Sequence, residues 1–220
     1  MSDARLEIAA GFATARGPKA DNQDFGGVHL GTPAEQREHG VVAVIADGVS
    51  GSKAGRTAAE LATRSFIDGY LDQNPLNGVA VNGVKALRGF NRWLHAKARS
   101  DPAMQGAATT FTALVLRGRR YTLAHIGDSR AYLWRDGHLL RLTEDHVWEQ
   151  PGMQHVLKRA MGLDQHLVVD YRDGELQAGD RFLLEPSGGS AGTMQVALKD
   201  PARIDPGAPL PGPLDNYTLR

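Results

Sequence analysis

The chain has 220 residues, 41% of them hydrophobic and 23% charged, which is room for one domain with a full core rather than two. Its 25 basic and 25 acidic residues cancel, which argues against an electrostatic nucleic-acid binder. No apolar run approaches the roughly 18–20 residues that cross a bilayer, residues 1–6 carry charge and no apolar signal core, and with no cysteine there is no disulfide, thiolate metal site or cysteine nucleophile. The composition predicts a soluble, cytoplasmic chain, folded as a single domain over 1–220 and without nucleic-acid or membrane partners.

In chain order, the clearest buried strand is Val41-Val42-Ala43-Val44-Ile45-Ala46, a β-branched run that ends at Asp47-Gly48. A helix follows the polar turn Val49 to Ser52, with Ala58, Leu61, Ala62, Ser65 and Phe66 at three- and four-residue steps. Asn82 begins a second helical stretch that places Val84, Leu87, Asn91, Leu94 and Ala98 on one face, and Asp101-Pro102 closes it. Thr110 to Leu116 and Tyr121 to Ile126 read as strands joined by a basic turn. Arg130 to Trp134 and His138 to Leu142 form a second pair, hinged on Asp136-Gly137, a strong hairpin signal. Val156 to Met161 suggests a short helix, and Arg181 to Leu184 a further strand. Strands in antiparallel-looking pairs around a block of helices predict an α+β fold. Six of the 11 prolines lie beyond Leu184, so 185–214 reads as a Pro/Gly-rich loop, divergent and open to disorder.

Acidic residues stand where strands meet turns: Asp24, Asp47, Asp128 and, near the carboxyl end, Asp215. A carboxylate beside glycine at a strand end suits a hard cation such as Mg²⁺ or Mn²⁺, since a neighbouring carbonyl can also turn inward. Taken one at a time, each is accounted for better by turn formation, and that account weakens when four strand ends carry them. His125, flanked by apolar neighbours, reads as a packed residue, and His146 as an anchor for the Glu144-Asp145-His146 turn.

The order of the motifs narrows the choice. Lys19-Ala20-Asp21-Asn22-Gln23-Asp24, Ala46-Asp47-Gly48-Val49-Ser50-Gly51, Thr109-Thr110-Phe111-Thr112-Ala113, Ile126-Gly127-Asp128-Ser129-Arg130, Leu142-Thr143-Glu144-Asp145-His146, Arg159-Ala160-Met161-Gly162 and Gly179-Asp180-Arg181 follow one another. This series resembles the PP2C (PPM) family of metal-dependent protein serine/threonine phosphatases, above all the bacterial domains often joined to a protein kinase. The resemblance implies a PP2C-like sandwich of two antiparallel sheets flanked by helices (α-β-β-α), with an atypical carboxyl-terminal end. It implies two Mn²⁺ or Mg²⁺ ions and a third, weaker one. Asp47 and the Gly48 carbonyl match metal ligands, Asp24 matches a position around the same metal, Asp128 the aspartate associated with the third, and Asp215 the aspartate of the family's closing motif. Lys19 stands where many relatives carry a phosphate-gripping arginine. The implied partners are a phosphorylated protein substrate and a cognate serine/threonine kinase.

One position departs from the pattern. Ser187 stands where the family places a ligand aspartate, and a neutral hydroxyl is a poor substitute for a carboxylate on a divalent cation. Glu185, two residues away, is a candidate surrogate if it faces inward. Two functions follow as expectations: hydrolysis of phosphoserine and phosphothreonine by a metal-activated water, or a catalytically impaired relative that binds a phosphoprotein or a kinase.

Overall fold

The computed structural model describes residues 7–15, 21–52, 54–153, 155–187 and 191–199. Among the described residues, ten strands form two five-stranded antiparallel sheets. The first sheet has the order β1 (Glu7–Ala15), β10 (Ala191–Lys199), β9 (Arg181–Glu185), β6 (Arg130–Arg135), β7 (His138–Arg141). The second has the order β2 (Asp24–His29), β3 (Val41–Asp47), β4 (Phe111–Arg117), β5 (Arg120–Ile126), β8 (Asp170–Glu175).

The period of two along each strand divides the core. Val41, Ala43 and Ile45 of β3, with Leu114, Leu116 and Leu123, face Ala131, Leu133, Phe182, Leu184, Met194 and Val196 of the first sheet. The alternate residues Val42, Val44, Phe111, Ala113, Ala124 and Ile126 face helices α2 (Gly55–Leu71) and α3 (Val79–Ser100). Both helices bury residues of the face expected of them: Ala58, Ala62 and Phe66 on α2 and Leu87, Asn91 and Leu94 on α3. A short helix, α1 (Pro33–Glu38), opens with a capping box in which Thr32 and Glu35 each bond the other's backbone. No helix among the described residues is long and apolar enough to cross a membrane.

The architecture is the expected α+β one, two antiparallel sheets flanked by helices. Its described helical layer, α2 and α3, covers the second sheet. The short helix expected at Val156–Met161 does not form. That stretch instead makes single antiparallel bridges, Leu157 with Val147 and Met161 with Thr109, so its backbone is committed to partners across the chain. The loop expected over 185–214 also needs correction. Ala191–Lys199 is a strand, paired over its full length with β1. The prolines that prompted the loop reading, Pro186 and Pro201, flank this segment, and inside it Met194, Val196 and Leu198 alternate into the core. Residues 188–190 and 200–214 of that stretch lie outside the described residues.

Candidate functional site

The inward row of β3, Val41, Ala43 and Ile45, ends on Asp47, so the apolar core gives way to a carboxylate at one end of the sandwich. Asp24, the first residue of β2, is directly opposite Asp47 in the ladder. Directly opposed residues share a face with Cβ atoms about 5 Å apart, and two like charges there repel. Both aspartates are buried, Asp24 to 1% and Asp47 to 5% exposure. Neither side-chain oxygen of Asp24 has a hydrogen-bond partner among the described residues. An ionised carboxylate only accepts hydrogen bonds, and burying one without a donor is costly unless a cation compensates.

The surroundings hold this pair rigidly. The Asp47 N–H donates to Thr110 Oγ1 (3.0 Å), and its carbonyl accepts from Thr109 Oγ1 (3.0 Å) and the Thr110 N–H (2.8 Å). The Gly48 N–H donates to the Gln23 carbonyl (3.1 Å). A Cβ on Gly48 would sit 2.3 Å from the Gly55 backbone, so the close approach of β3 to the start of α2 requires glycine at that position. The Arg56 guanidinium donates to the Asp24 carbonyl and lies over the Phe25 ring, 5.1 Å from its centroid.

From the first sheet come Asp128 and Ser187. Asp128 is half-buried in the turn before β6, and its Oδ1 has no partner among the described residues. Burial holds its carboxyl above the usual carboxylate range; a hydrogen bond with Ser187 works against that shift, and the nearby Asp145 charge adds to it. Ser187 Oγ donates to Asp47 Oδ2 (3.1 Å). The serine hydroxyl therefore lies between two carboxylates contributed by different sheets. Glu185 is not its surrogate: Phe182 and Leu184 fill the core side of β9, and Glu185 lies with the alternate residues, hydrogen-bonded to Tyr132.

Of the residues expected from the sequence, Asp24, Asp47, Gly48, Asp128 and Ser187 converge on this end of the sandwich. Lys19 and Asp215 lie outside the described residues. Among the described residues no three His, Asp or Glu side chains gather closely enough to form a metal cage by themselves. The carboxylates present still fit a hard divalent cation: Asp24 and Asp47 are buried, and both oxygens of Asp24 and Oδ1 of Asp128 have no hydrogen-bond partner among the described residues. His125 is packed and His146 anchors its turn, as expected. The contact of Thr110 Oγ1 with Ser129 Oγ (2.5 Å) and the part played by Arg56 are not among the expectations from sequence. The Thr109-Thr110 pair was visible as a motif, whereas Arg56 had only its position at the start of a helix to mark it.

A two-sheet antiparallel sandwich with carboxylates from both sheets meeting at one end defines a recognised class of α+β protein. The chain belongs to the protein phosphatase 2C family, whose model matches residues 16–199. It is 29% identical over 194 residues to the serine/threonine phosphatase stp of Listeria welshimeri, covering 80% of this chain and 75% of that protein. It is 32% identical over 158 residues to the serine/threonine protein phosphatase PstP of Mycobacterium tuberculosis, covering 64% of this chain and 30% of that one. Among solved structures, a bacterial serine phosphatase superposes with a TM-score of 0.73 at 19% identity, over 90% of this chain and 100% of that one. The PstP catalytic domain in complex with two manganese ions gives 0.67 at 25% identity, over 89% and 99%.

Proposed function

We propose that this chain hydrolyses phosphoserine and phosphothreonine on proteins in a reaction that requires Mn²⁺ or Mg²⁺. The observation that carries the reading is the Asp24–Asp47 pair, opposed in the ladder, buried, and left without donors on Asp24. The names of the stp and PstP relatives and the two manganese ions bound by PstP support it.

On this reading Asp47, the Gly48 carbonyl and Asp24 hold the principal cations, Asp128 a weaker one, and Asp215 is a further ligand. Divalent cations bound there supply an acidified water for in-line attack on phosphorus and neutralise the phosphoryl oxygens. The chain's own task is to keep the ligands fixed. Thr109 and Thr110 clamp the Asp47 backbone on both sides, and Arg56 holds the Asp24 carbonyl. Lys19 contributes a point charge toward the phosphate, without the bidentate fork of an arginine. The partners are a phosphorylated protein and a cognate serine/threonine kinase.

The Ser187 bond to Asp47 favours a second reading, an impaired relative that binds phosphoproteins or a kinase without turnover. A hydroxyl adds no negative charge where two carboxylates await a cation. Losing an outer-shell partner alone typically costs about 10–100-fold in metal affinity or activity. The two readings separate in a Mn²⁺ titration of aryl phosphate and phosphothreonine-peptide hydrolysis, run on the parent, Asp47→Ala and Ser187→Asp. Turnover in the parent that is lost in Asp47→Ala and under chelation is the expected result. Ser187→Asp should then reach half-maximal rate at roughly tenfold lower Mn²⁺. A silent parent revived by Ser187→Asp establishes the impaired reading, and phosphate release that survives chelation removes both.

A further inference from the structure

Asp128 is carried on the Gly127–Ser129 turn, and both ends of that turn are tied down. At one end, both backbone hydrogen-bonding groups of Gly127 go to a single residue: its N–H donates to His146 Nδ1 (3.0 Å) and its carbonyl accepts the His146 N–H (2.8 Å). At the other end Ser129 Oγ meets Thr110 Oγ1 at 2.5 Å, the same oxygen that accepts the Asp47 N–H. Gly127 itself has φ of 106°, and a Cβ there would lie 2.7 Å from Thr110.

The grip of His146 depends on its tautomer. For Nδ1 to accept from Gly127, the neutral ring must carry its proton on Nε2, and that nitrogen faces Asp170 Oδ2 at 3.0 Å. Asp170 opens β8 and is held in turn by Arg159 Nη1 on its other oxygen (2.8 Å). The ring is 7% exposed and packs on His125, with centroids 4.8 Å apart. Without an acceptor at Asp170, the buried Nε2–H loses its partner and the proton can move to Nδ1. Nδ1–H would then face the Gly127 N–H, donor against donor, and the turn would be released.

We propose that the Asp170–His146 pair is a positioning device for Asp128, fixing through Gly127 where that carboxylate stands relative to Asp47. Asp170 and His146 are positioning residues, not catalytic ones. The part of this inference that concerns cations rests on the metal-dependent reading above.

The test compares the parent, Asp170→Ala and Asp170→Asn, whose amide oxygen still accepts from Nε2–H. The first readout is amide hydrogen exchange of the metal-free chain, in the peptide holding Gly127–Ser129 and in the β3 peptide as a control. The second is Mn²⁺ affinity by calorimetry. Asp170→Ala should speed exchange at the turn about tenfold or more while β3 stays protected, and weaken the weaker Mn²⁺ binding step, the one assigned to Asp128, about 10–100-fold. Asp170→Asn should return both toward the parent. Parent-like exchange at the turn in Asp170→Ala overturns the proposal, as does equal loosening of β3 or failure of Asp170→Asn to rescue. If the parent itself binds no Mn²⁺, the metal-dependent reading falls, and the exchange readout alone decides the positioning role.

Discussion

Both ring nitrogens of His125 have partners: Nδ1 accepts from Thr112 Oγ1 of β4 and Nε2 donates to the Glu144 carbonyl in the segment after β7, each at 2.9 Å. A neutral imidazole satisfies both bonds, while a second ring proton would face a hydroxyl that is already donating. Burial lowers its pKa from 6.5 to about 4, and the neighbouring His146 adds to the shift. In the unfolded chain the ring takes up a proton near pH 6.5, so between about pH 6.5 and 4 the unfolded state binds more protons than the folded one. The stability contributed by neutral His125 is therefore complete above pH 6.5 and drains away as pH falls toward 4, by up to about 3 kcal/mol. His125→Asn should be less stable at neutral pH yet show a shallower decline on acidification. Urea midpoints measured from pH 7 to 4 check this, and parallel curves for parent and variant would remove His125 as the cause. At this scale the sequence was informative about turns but not about pairings. Gly127-Asp128 announces itself as a turn, whereas nothing local in Thr110 tells that it meets Ser129, because the contact joins the residues just before β4 and β6, strands of different sheets.

Among the elements, the turn between β8 and β9 is secured from a distance. Arg135, at the end of β6, donates from Nε and Nη2 to both oxygens of Asp180, at 2.7 and 2.6 Å, and Asp180 Oδ2 also accepts the Gln177 N–H. Asp180 is 1% exposed, so its charge stands or falls with this bidentate pair. Asp180→Ala removes both carboxylate bonds of Arg135, which is partly exposed and keeps its bond to the Glu175 carbonyl, and should cost about 1–3 kcal/mol. β6 separates Arg135 from the Asp128 end by about 17 Å of extended strand, so the loss should appear in the denaturation midpoint while Mn²⁺ affinity holds. A comparable loss of Mn²⁺ affinity would show that the pair acts on the site. The elements legible from sequence are those that carry their own signal. The apolar run of β3, the helical faces of α2 and α3, and the Asp136-Gly137 hairpin, whose φ angles of 50° and 81° are those of the expected turn, belong to this group. The others owe their form to partners. β8, Asp-Tyr-Arg-Asp-Gly-Glu, is a polar edge strand, and β10 is a strand because β1 and β9 lie on either side of it.

For the molecule as a whole, the carboxylates and Ser187 sit where the two sheets meet. Asp24 and Asp47 come from the second sheet, and Asp128 and Ser187 from segments that adjoin β6 and β9 of the first. A divalent cation held by these residues would tie both layers together, and without one the opposed Asp24 and Asp47 charges work against closure of that end. Binding to the folded state alone stabilises it by about 2.7 kcal/mol at a concentration 100 times the dissociation constant. For a chain of this size that corresponds to a rise in Tm of roughly 5–10 °C. Mn²⁺ should therefore raise the melting temperature, and chelation should return it to the starting value. Asp24→Asn should reverse sign with conditions. Free of metal it relieves the repulsion and melts at or above the parent; with Mn²⁺ it gains less and melts below it. A crossing of the two melting curves as Mn²⁺ is added places the cation at the Asp24–Asp47 pair, and an undiminished Mn²⁺ shift in Asp24→Asn places it elsewhere.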